Sequence, residues 1–290
     1  MIVKQALRRT AKILSAHSIE DASLEAEVML MHVLGVDRVG LYLRLDDVIS
    51  IDSEKAIGQV IERRLEHEPL AYITGSREFF GSDFHVAPGA LIPRPETESL
   101  VEATIELVSS RFPAGDPVIA DVGTGSGAIA VSLALRLPQA RIYAIDISPR
   151  ALEVASINCR RHNVGVQLLE GDLLDPLPEP ADIIVANLPY VRDDEMGGLS
   201  AEIRLHEPSI ALSGGRDGLD AVRRLIAGAP ARLRPGGAVL LEIAPAQVQA
   251  LTEWVEINLP GAGVSPFFDL SGMTRFVEVR TPHRALAMID

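Results

Sequence analysis

Apolar residues change their period partway along the chain. Up to about residue 70 they recur at helical spacing, as at Leu24, Val28, Met31 and Leu34 and again at Ile57, Ile61 and Leu65. Asp52 or Ser53 is placed to cap the second of these stretches. No alternation of strand type interrupts them, so residues 1–75 are expected to form a small helical domain that packs or recognises a partner. Residues 76–95 read differently. Glu78 to Val86 has two apolar runs around Gly81-Ser82-Asp83, the pattern of a hairpin. Pro93 and Pro95 then stiffen a link, and the acidic residues after Pro95 suit the first turn of a helix reaching about Arg111. Pro113-Ala114-Gly115-Asp116-Pro117 breaks that helix.

From Val118 onward, strands and helices alternate, the signature of a layered α/β domain over residues 96–290. Strands are predicted at 118–122, 141–145, 166–170 and 183–186, with helices at 128–137 and 150–163 between them. A stretch from about Val191 to Gly218 carries no regular pattern and is too long for a bland connector. A helix at 219–233, a strand at 238–243 and a helix at 247–258 follow. Two late strands, about 264–268 and 275–280, are expected to add an antiparallel hairpin at the sheet edge.

Candidate chemistry gathers at the carboxyl ends of the predicted strands, where open α/β sheets bind ligands. Gly123-Thr124-Gly125-Ser126-Gly127 follows the first strand and lets the backbone approach a ligand closely. With Ala128 it fits G-x-G-x-x-A, a nucleotide-binding pattern. Asp146 closes the second strand and suits a ribose diol. Asp172 follows the third and could accept an adenine amino group, with Ile147 and Leu173 on either side of the ring. The fourth strand, Ile183-Ile184-Val185-Ala186, runs into Asn187-Leu188-Pro189-Tyr190. The Asn187 carboxamide oxygen and the Leu188 carbonyl are two acceptors, Pro189 restrains the residue before it, and Tyr190 offers a flat face. Together they suit a planar –NH2 group with its nitrogen turned toward an electrophile. An adenosine cofactor beside a pocket for –NH2 has no special use in a dehydrogenase. It has one in a methyltransferase that uses S-adenosylmethionine.

Composition narrows the classes. Hydrophobic residues are 47% of the chain and charged residues 23%, so bulk disorder is excluded. Cys159 is alone, which rules out an internal disulfide framework and suits a reducing compartment. Met1 to Ser18 mixes Lys4, Arg8, Arg9 and Lys12 with apolar residues and lacks the apolar core of a signal peptide. A cytoplasmic protein without membrane partner is expected, and no metal site. The net charge of −13 disfavours broad attachment to nucleic acid.

From about Leu70 to Val279 the chain resembles the protein-glutamine N5-methyltransferases of bacterial-type peptide chain release factors. The resemblance rests on Ala71-Tyr72-Ile73-Thr74-Gly75, on Leu91-Ile92-Pro93-Arg94-Pro95-Glu96-Thr97-Glu98, and on Asp121 to Gly127. It extends to Glu207-Pro208 with Ala211-Leu212, to Gly214 through Asp220, and to Leu233-Arg234-Pro235-Gly236-Gly237. The Ile-Pro-Arg-Pro-Glu-Thr-Glu segment is the most specific, and a related ribosomal-protein methyltransferase differs there. The resemblance implies a helical N-terminal domain, a hairpin linker and a Rossmann-like seven-stranded methyltransferase sheet. It also implies the target, the Gln of the Gly-Gly-Gln loop of a release factor, with the helical domain helping to engage that protein. Two positions depart from the family pattern: Leu188 replaces the first Pro of Asn-Pro-Pro-Tyr, and Ala244 replaces the Gly after Glu242-Ile243. Asn-Leu-Pro-Tyr is also the form found in ribosomal RNA adenine dimethyltransferases. An adenine-N6 methyltransferase of RNA or DNA is therefore the alternative.

Overall fold

The computed structural model describes residues 1–113, 115–268 and 272–281. The described chain divides into two compact units, one of Met1–Ser76 with Ser200–His206 and one comprising the rest. The predicted hairpin thus falls largely in the second unit. Ala114 of the expected break and residues 282–290 of the expected methyltransferase domain lie outside the described residues.

The first unit is helical, as the apolar spacing predicts. It contains α1 (Val3–Ala16), α2 (Ala22–Leu34), α3 (Arg38–Leu43), α4 (Ile51–Leu65) and α5 (Leu70–Thr74). Leu14, Met29, Leu30 and Leu41 are fully buried at its centre. The face of α2 differs from the one expected. Leu24 is 52% exposed, and the buried residues are Ala22, Ala26, Met29 and Leu30. Two alanines stand in the buried stripe because helices approach most closely over small side chains. A reading that weights bulky residues places the face wrongly. The cap of α4 also differs: Ser50, not Asp52 or Ser53, accepts the Ser53 N–H at 3.0 Å. Asp52 and Glu54 instead occupy the first turn, where the positive end of the helix dipole favours them. Ser50→Ala is expected to destabilise the protein by about 1 kcal/mol, the cost of an orphaned helix N-terminus. A urea unfolding curve reads the effect as a lower midpoint at unchanged slope.

The hairpin β1 (Ser76–Phe79) and β2 (Ser82–His85) lies in the second unit except for Ser76, the last residue of the first unit's opening segment. Its turn is Phe80-Gly81, both at positive φ (51° and 73°), as a two-residue hairpin requires. The turn thus starts one residue before the expected Gly-Ser-Asp. A 3₁₀ turn at Pro95–Thr97 then leads into α6 (Glu98–Arg111), which ends where the sequence predicts. In chain order follow β3 (Val118–Val122), α7 (Ala128–Arg136), β4 (Arg141–Asp146), α8 (Pro149–Arg161), β5 (Gln167–Glu170) and β6 (Ala181–Ala186). Next come α9 (Ala201–His206), α10 (Asp220–Gly228), β7 (Leu233–Glu242), α11 (Val248–Asn258), β8 (Gly263–Phe268) and β9 (Thr274–Arg280). Pro230 ends the α10 region in a 3₁₀ turn, well short of the expected 233.

The sheet has seven strands in the order β5-β4-β3-β6-β7-β9-β8. The first five are parallel to one another, and β9 and β8 add the antiparallel edge. Residues of β3 and β6 are all buried because helices cover both faces. Val118, Ala120, Val122, Ile184 and Ala186 pack into one layer, with Leu225, Ile226, Leu251 and Val255 of α10 and α11. Ile119, Ile183 and Val185 point the opposite way, into a layer with Leu100, Val101 and Leu133 of α6 and α7. Strand order reverses between β3 and β6, where ligands collect in such sheets.

The patternless stretch 191–218 is more ordered than its sequence suggests. It holds 3₁₀ turns at Met196–Gly198 and Ser209–Ala211, and α9 between them. The α9 segment belongs to the helical unit. Glu202 pairs there with Arg64, which also donates to both oxygens of Glu25 at 2.6 and 2.9 Å. Arg64 is buried, and the two carboxylates offset the lost hydration of its charge.

Candidate active site

Parallel pairing of β3 with β6 puts Val122 opposite Ala186. The chain therefore leaves the two strands at the same level, as Gly123 on one and Asn187 on the other. The glycine turn and the Asn-Leu-Pro-Tyr turn line one cleft of about 320 Å³, a size within the ordinary range for small-molecule sites, roughly 300–1,000 Å³. Asp146, Ile147, Asp172 and Leu173 line it as well. Every group that the sequence singles out at a strand end, apart from Gly127 and Tyr190, is on that lining. Gly127 instead turns the chain into α7, at φ +79°. Tyr190 is held behind the lining, half-buried.

The glycine turn is held from both sides. The Gly123 and Thr124 N–H groups donate to the Ile145 carbonyl, each at 2.9 Å. Gly125, at φ +55°, donates to Asp146 Oδ2 at 2.8 Å, and apart from its own and its chain neighbours' atoms no atom of the described residues lies within 4 Å of where its Cβ would stand. The left-handed backbone and the open space beside it form a cradle for a closely approaching ligand. Asp146 Oδ1 accepts the Ser148 N–H at 2.9 Å. Both carboxylate oxygens are thus oriented, and each keeps a lone pair. Burial raises the Asp146 pKa against the lowering effect of those N–H bonds. Beneath the turn, fully buried Asp121 accepts from the Thr124 hydroxyl at 2.6 Å and the Ala130 N–H at 3.1 Å, both through Oδ2. Its Oδ1 has no hydrogen-bond partner among the described residues, and burial pushes its pKa up to about 7. A glycine cradle beside an oriented strand-end carboxylate with lone pairs to spare fits a nucleoside-bearing ligand such as S-adenosylmethionine.

Asp172 carries a neighbour that the sequence does not suggest. Its Oδ2 pairs with the Arg224 guanidinium of α10, and Arg224 also lines the cleft. Leu173 stands at φ +49°, a conformation that costs a non-glycine residue about 1–2 kcal/mol and that turns this segment along the cleft.

The Asn-Leu-Pro-Tyr turn is anchored on three sides. Asn187 Nδ2 donates to Thr97 Oγ1 at 3.0 Å, and the Thr97 hydroxyl donates to Glu242 Oε2 at 2.6 Å. The Tyr190 hydroxyl donates to Glu242 Oε1 at 3.4 Å. Burial raises the Glu242 pKa, partly offset by the Thr97 and Tyr190 hydrogen bonds. Burial, with the nearby Glu242 charge, pushes the Tyr190 phenol up to about 12, so it stays neutral. The Tyr190 carbonyl accepts from Gln247 Nε2 at 2.8 Å. Gly218 packs against that carbonyl: a Cβ there would come within 2.2 Å of it. The glycines at the end of the 191–218 stretch thus serve close backbone packing behind the turn. Glu207 holds the proline linker by pairing with Arg94 and accepting the Ile92 N–H at 3.2 Å.

Leu188 does more than present a carbonyl. Its side chain is 4% exposed and packs in the main core, with Cδ2 3.0 Å from where a Gly123 Cβ would stand. Leu188→Pro retains the carbonyl and restores the pattern of the resembling family, but it thins this packing. We expect a loss of about 1–2 kcal/mol in stability from the removed carbon and imperfect fit, with turnover preserved. Thermal melting and steady-state assays of the two forms check this. A folded Pro variant with a large loss of turnover would show that the Leu side chain itself shapes the site.

Sequence patterning does not single out Thr97, Glu242 or Arg224 as site residues, although Thr97 lies in the most specific segment of the resemblance. For Glu242 a signal is present, an acid closing the buried run Ala238–Leu241 as Asp146 closes its own strand. Arg224 carries none. Among the described residues no cluster of three or more His, Cys, Asp or Glu is placed to hold a metal, and no helix is long and apolar enough to cross a membrane.

Comparison with known proteins bears on the family and the fold. Residues 5–75 match the PrmC N-terminal domain family and residues 100–207 the methyltransferase small domain family. A release factor glutamine methyltransferase of Moorella thermoacetica is 46% identical over 87% of this chain and 89% of its own length. One of Cereibacter sphaeroides is 40% identical over 97% and 99%. Among solved structures, the hMettl16 catalytic domain in complex with an RNA hairpin superposes with a TM-score of 0.56 at 17% identity, over 76% of this chain and 82% of that one. A T. thermophilus 16S rRNA N2 methyltransferase in complex with AdoMet and guanosine gives 0.52 at 19% identity, over 71% and 50%. At such identities these two likenesses concern the fold alone.

Proposed function

The chain belongs to the release factor glutamine methyltransferases, and from that premise we propose that it methylates the side-chain amide nitrogen of the Gln in the Gly-Gly-Gln loop of a release factor. S-adenosylmethionine, when bound, supplies an electrophilic methyl group. Gly123 to Gly127 would hold it by close backbone approach, Asp146 by its ribose hydroxyls, and Ile147, Asp172 and Leu173 around its adenine. The observation that carries the reading is the position of Asn187, beside the glycine turn at the point where strand order reverses. A glutamine amide is a poor nucleophile because its nitrogen lone pair is delocalised into the carbonyl. Asn187 Oδ1 and the Leu188 carbonyl accept its two N–H bonds, which stabilises positive charge developing on that nitrogen. Pro189 keeps the Leu188 carbonyl in place, and Tyr190, a neutral phenol held behind the lining by Glu242 and Gln247, backs the turn rather than meeting the amide directly. Holding the nitrogen on the cofactor's methyl side supplies the orientation term. The N–C bond would form as the C–S bond breaks, with S-adenosylhomocysteine as the other product, and the methylated nitrogen sheds its surplus proton to water because an N-protonated amide is strongly acidic.

The helical unit is assigned to docking the protein substrate. Its exposed Val39, Leu43, Val48 and Ile51 support that role, since each is at least 66% exposed. Protein rather than nucleic acid is the proposed partner, supported by the net charge of −13, and the cytoplasm is the proposed location, supported by the single cysteine. Parallel incubations with labelled cofactor test the choice of substrate. Label on a folded release factor and none on ribosomal RNA is expected. Label on the RNA alone would transfer the assignment to the adenine methyltransferases.

A further inference from the structure

A carboxamide is nearly symmetric in shape but not in chemistry. Asn187 can work as an acceptor toward the substrate only if its oxygen, and not its NH2, faces the cleft. What decides between the two orientations is the hydrogen-bond network on its other side. Glu242 stands at the buried end of that network, at the close of β7, with its two oxygens accepting from the Thr97 and Tyr190 hydroxyls. Thr97 has one hydroxyl proton, and the 2.6 Å contact commits it to Glu242 Oε2. The Thr97 oxygen is left with lone pairs alone to offer Asn187. Asn187 must then present its NH2 to Thr97, consistent with the 3.0 Å contact between Nδ2 and Oγ1, and its Oδ1 is turned to the other side. Thr97 is buried and lies on the cleft lining, where the 3₁₀ turn at Pro95–Thr97 fixes it. Tyr190 closes the network on the second oxygen of Glu242.

We propose that Thr97, polarised by Glu242, is a positioning residue that sets which face of the Asn187 carboxamide meets the substrate amide. This rests on the acceptor role given to Asn187 above. In the flipped orientation the Asn187 NH2 would face the substrate NH2. Two donors would then meet, and the stabilisation of developing charge would be lost.

The test is a double-mutant cycle on the full-length enzyme with a release factor as substrate. Thr97→Val keeps the shape of the side chain and removes the acceptor. Turnover falls roughly tenfold, the worth of one orienting hydrogen bond, while KM for the release factor and affinity for S-adenosylmethionine stay near the parent values. Thr97→Ser, which restores the hydroxyl, recovers most of the turnover. In an Asn187→Ala background, Thr97→Val has no further effect, because Thr97 acts through Asn187 alone. Thermal melting and cofactor titration establish that each variant is folded. If the Val form does not fold, Thr97→Ala takes its place in the same cycle. Parent turnover in Thr97→Val, or losses that multiply in the double variant, would overturn the proposal. Parent turnover in Asn187→Ala would instead overturn the acceptor role itself, so the two failures are told apart.

Discussion

Asn187→Ala lowers turnover by roughly 10²–10³, the usual loss when one donor or acceptor aimed at a developing charge is removed. The substitution takes away the carboxamide and leaves the buried run Ile183–Ala186 and the glycine turn as they are. The effect therefore falls on kcat, with little change in cofactor affinity, the pattern of an interaction made in the transition state. Asn187→Asp is a sharper probe. It keeps an acceptor in the same place but offers no N–H to Thr97, so partial activity is expected. The variants are compared by single-turnover assay with saturating cofactor. Undiminished turnover in Asn187→Ala would leave the amide without the grip proposed for it, whatever the substrate.

The second large effect is on cofactor binding. Asp146→Ala removes the carboxylate that orients the cleft end of β4 and that is assigned to the ribose diol. Leaving the ligand's hydroxyls without this partner costs about 1–3 kcal/mol of binding free energy. The dissociation constant for S-adenosylmethionine rises between about five- and 150-fold. Asp146→Asn, which keeps one acceptor oxygen, shows an intermediate loss. Calorimetric titration measures both. An Ala variant that binds with parental affinity would move the ribose to another part of the cleft.

Asp146 and Asn187 are legible in the sequence because each stands at a strand end. A buried parallel strand writes itself as an unbroken apolar run, and the first polar residue after it falls on the ligand side of the sheet. Both residues follow such runs, and so does the glycine turn after Val118–Val122. What the sequence hides depends on contacts distant along the chain. Asn187 reaches Thr97 across 90 positions, and Thr97 reaches Glu242 across 145. No local period encodes such a meeting, since register and strand order create it. Arg224 meets Asp172 in the same way, from a helix face. The α9 segment is hidden for another reason. Six residues are too few to show a helical period, and its place rests on the pairing of Glu202 with Arg64. On α2 the apolar pattern misleads through size, because Ala22 and Ala26 are buried while the larger Leu24 is exposed.

The proposed chemistry ends on one atom of one partner, the side-chain nitrogen of the release-factor Gln. The direct measurement is fragment-ion mass spectrometry of a purified, folded release factor after incubation with this enzyme and S-adenosylmethionine. A single added methyl group on the Gln of the Gly-Gly-Gln loop, absent when that Gln is replaced and strongly reduced with Asn187→Ala, is the predicted result. Methyl transfer to another residue, or an equal yield from the enzyme lacking the Asn187 carboxamide, would contradict it.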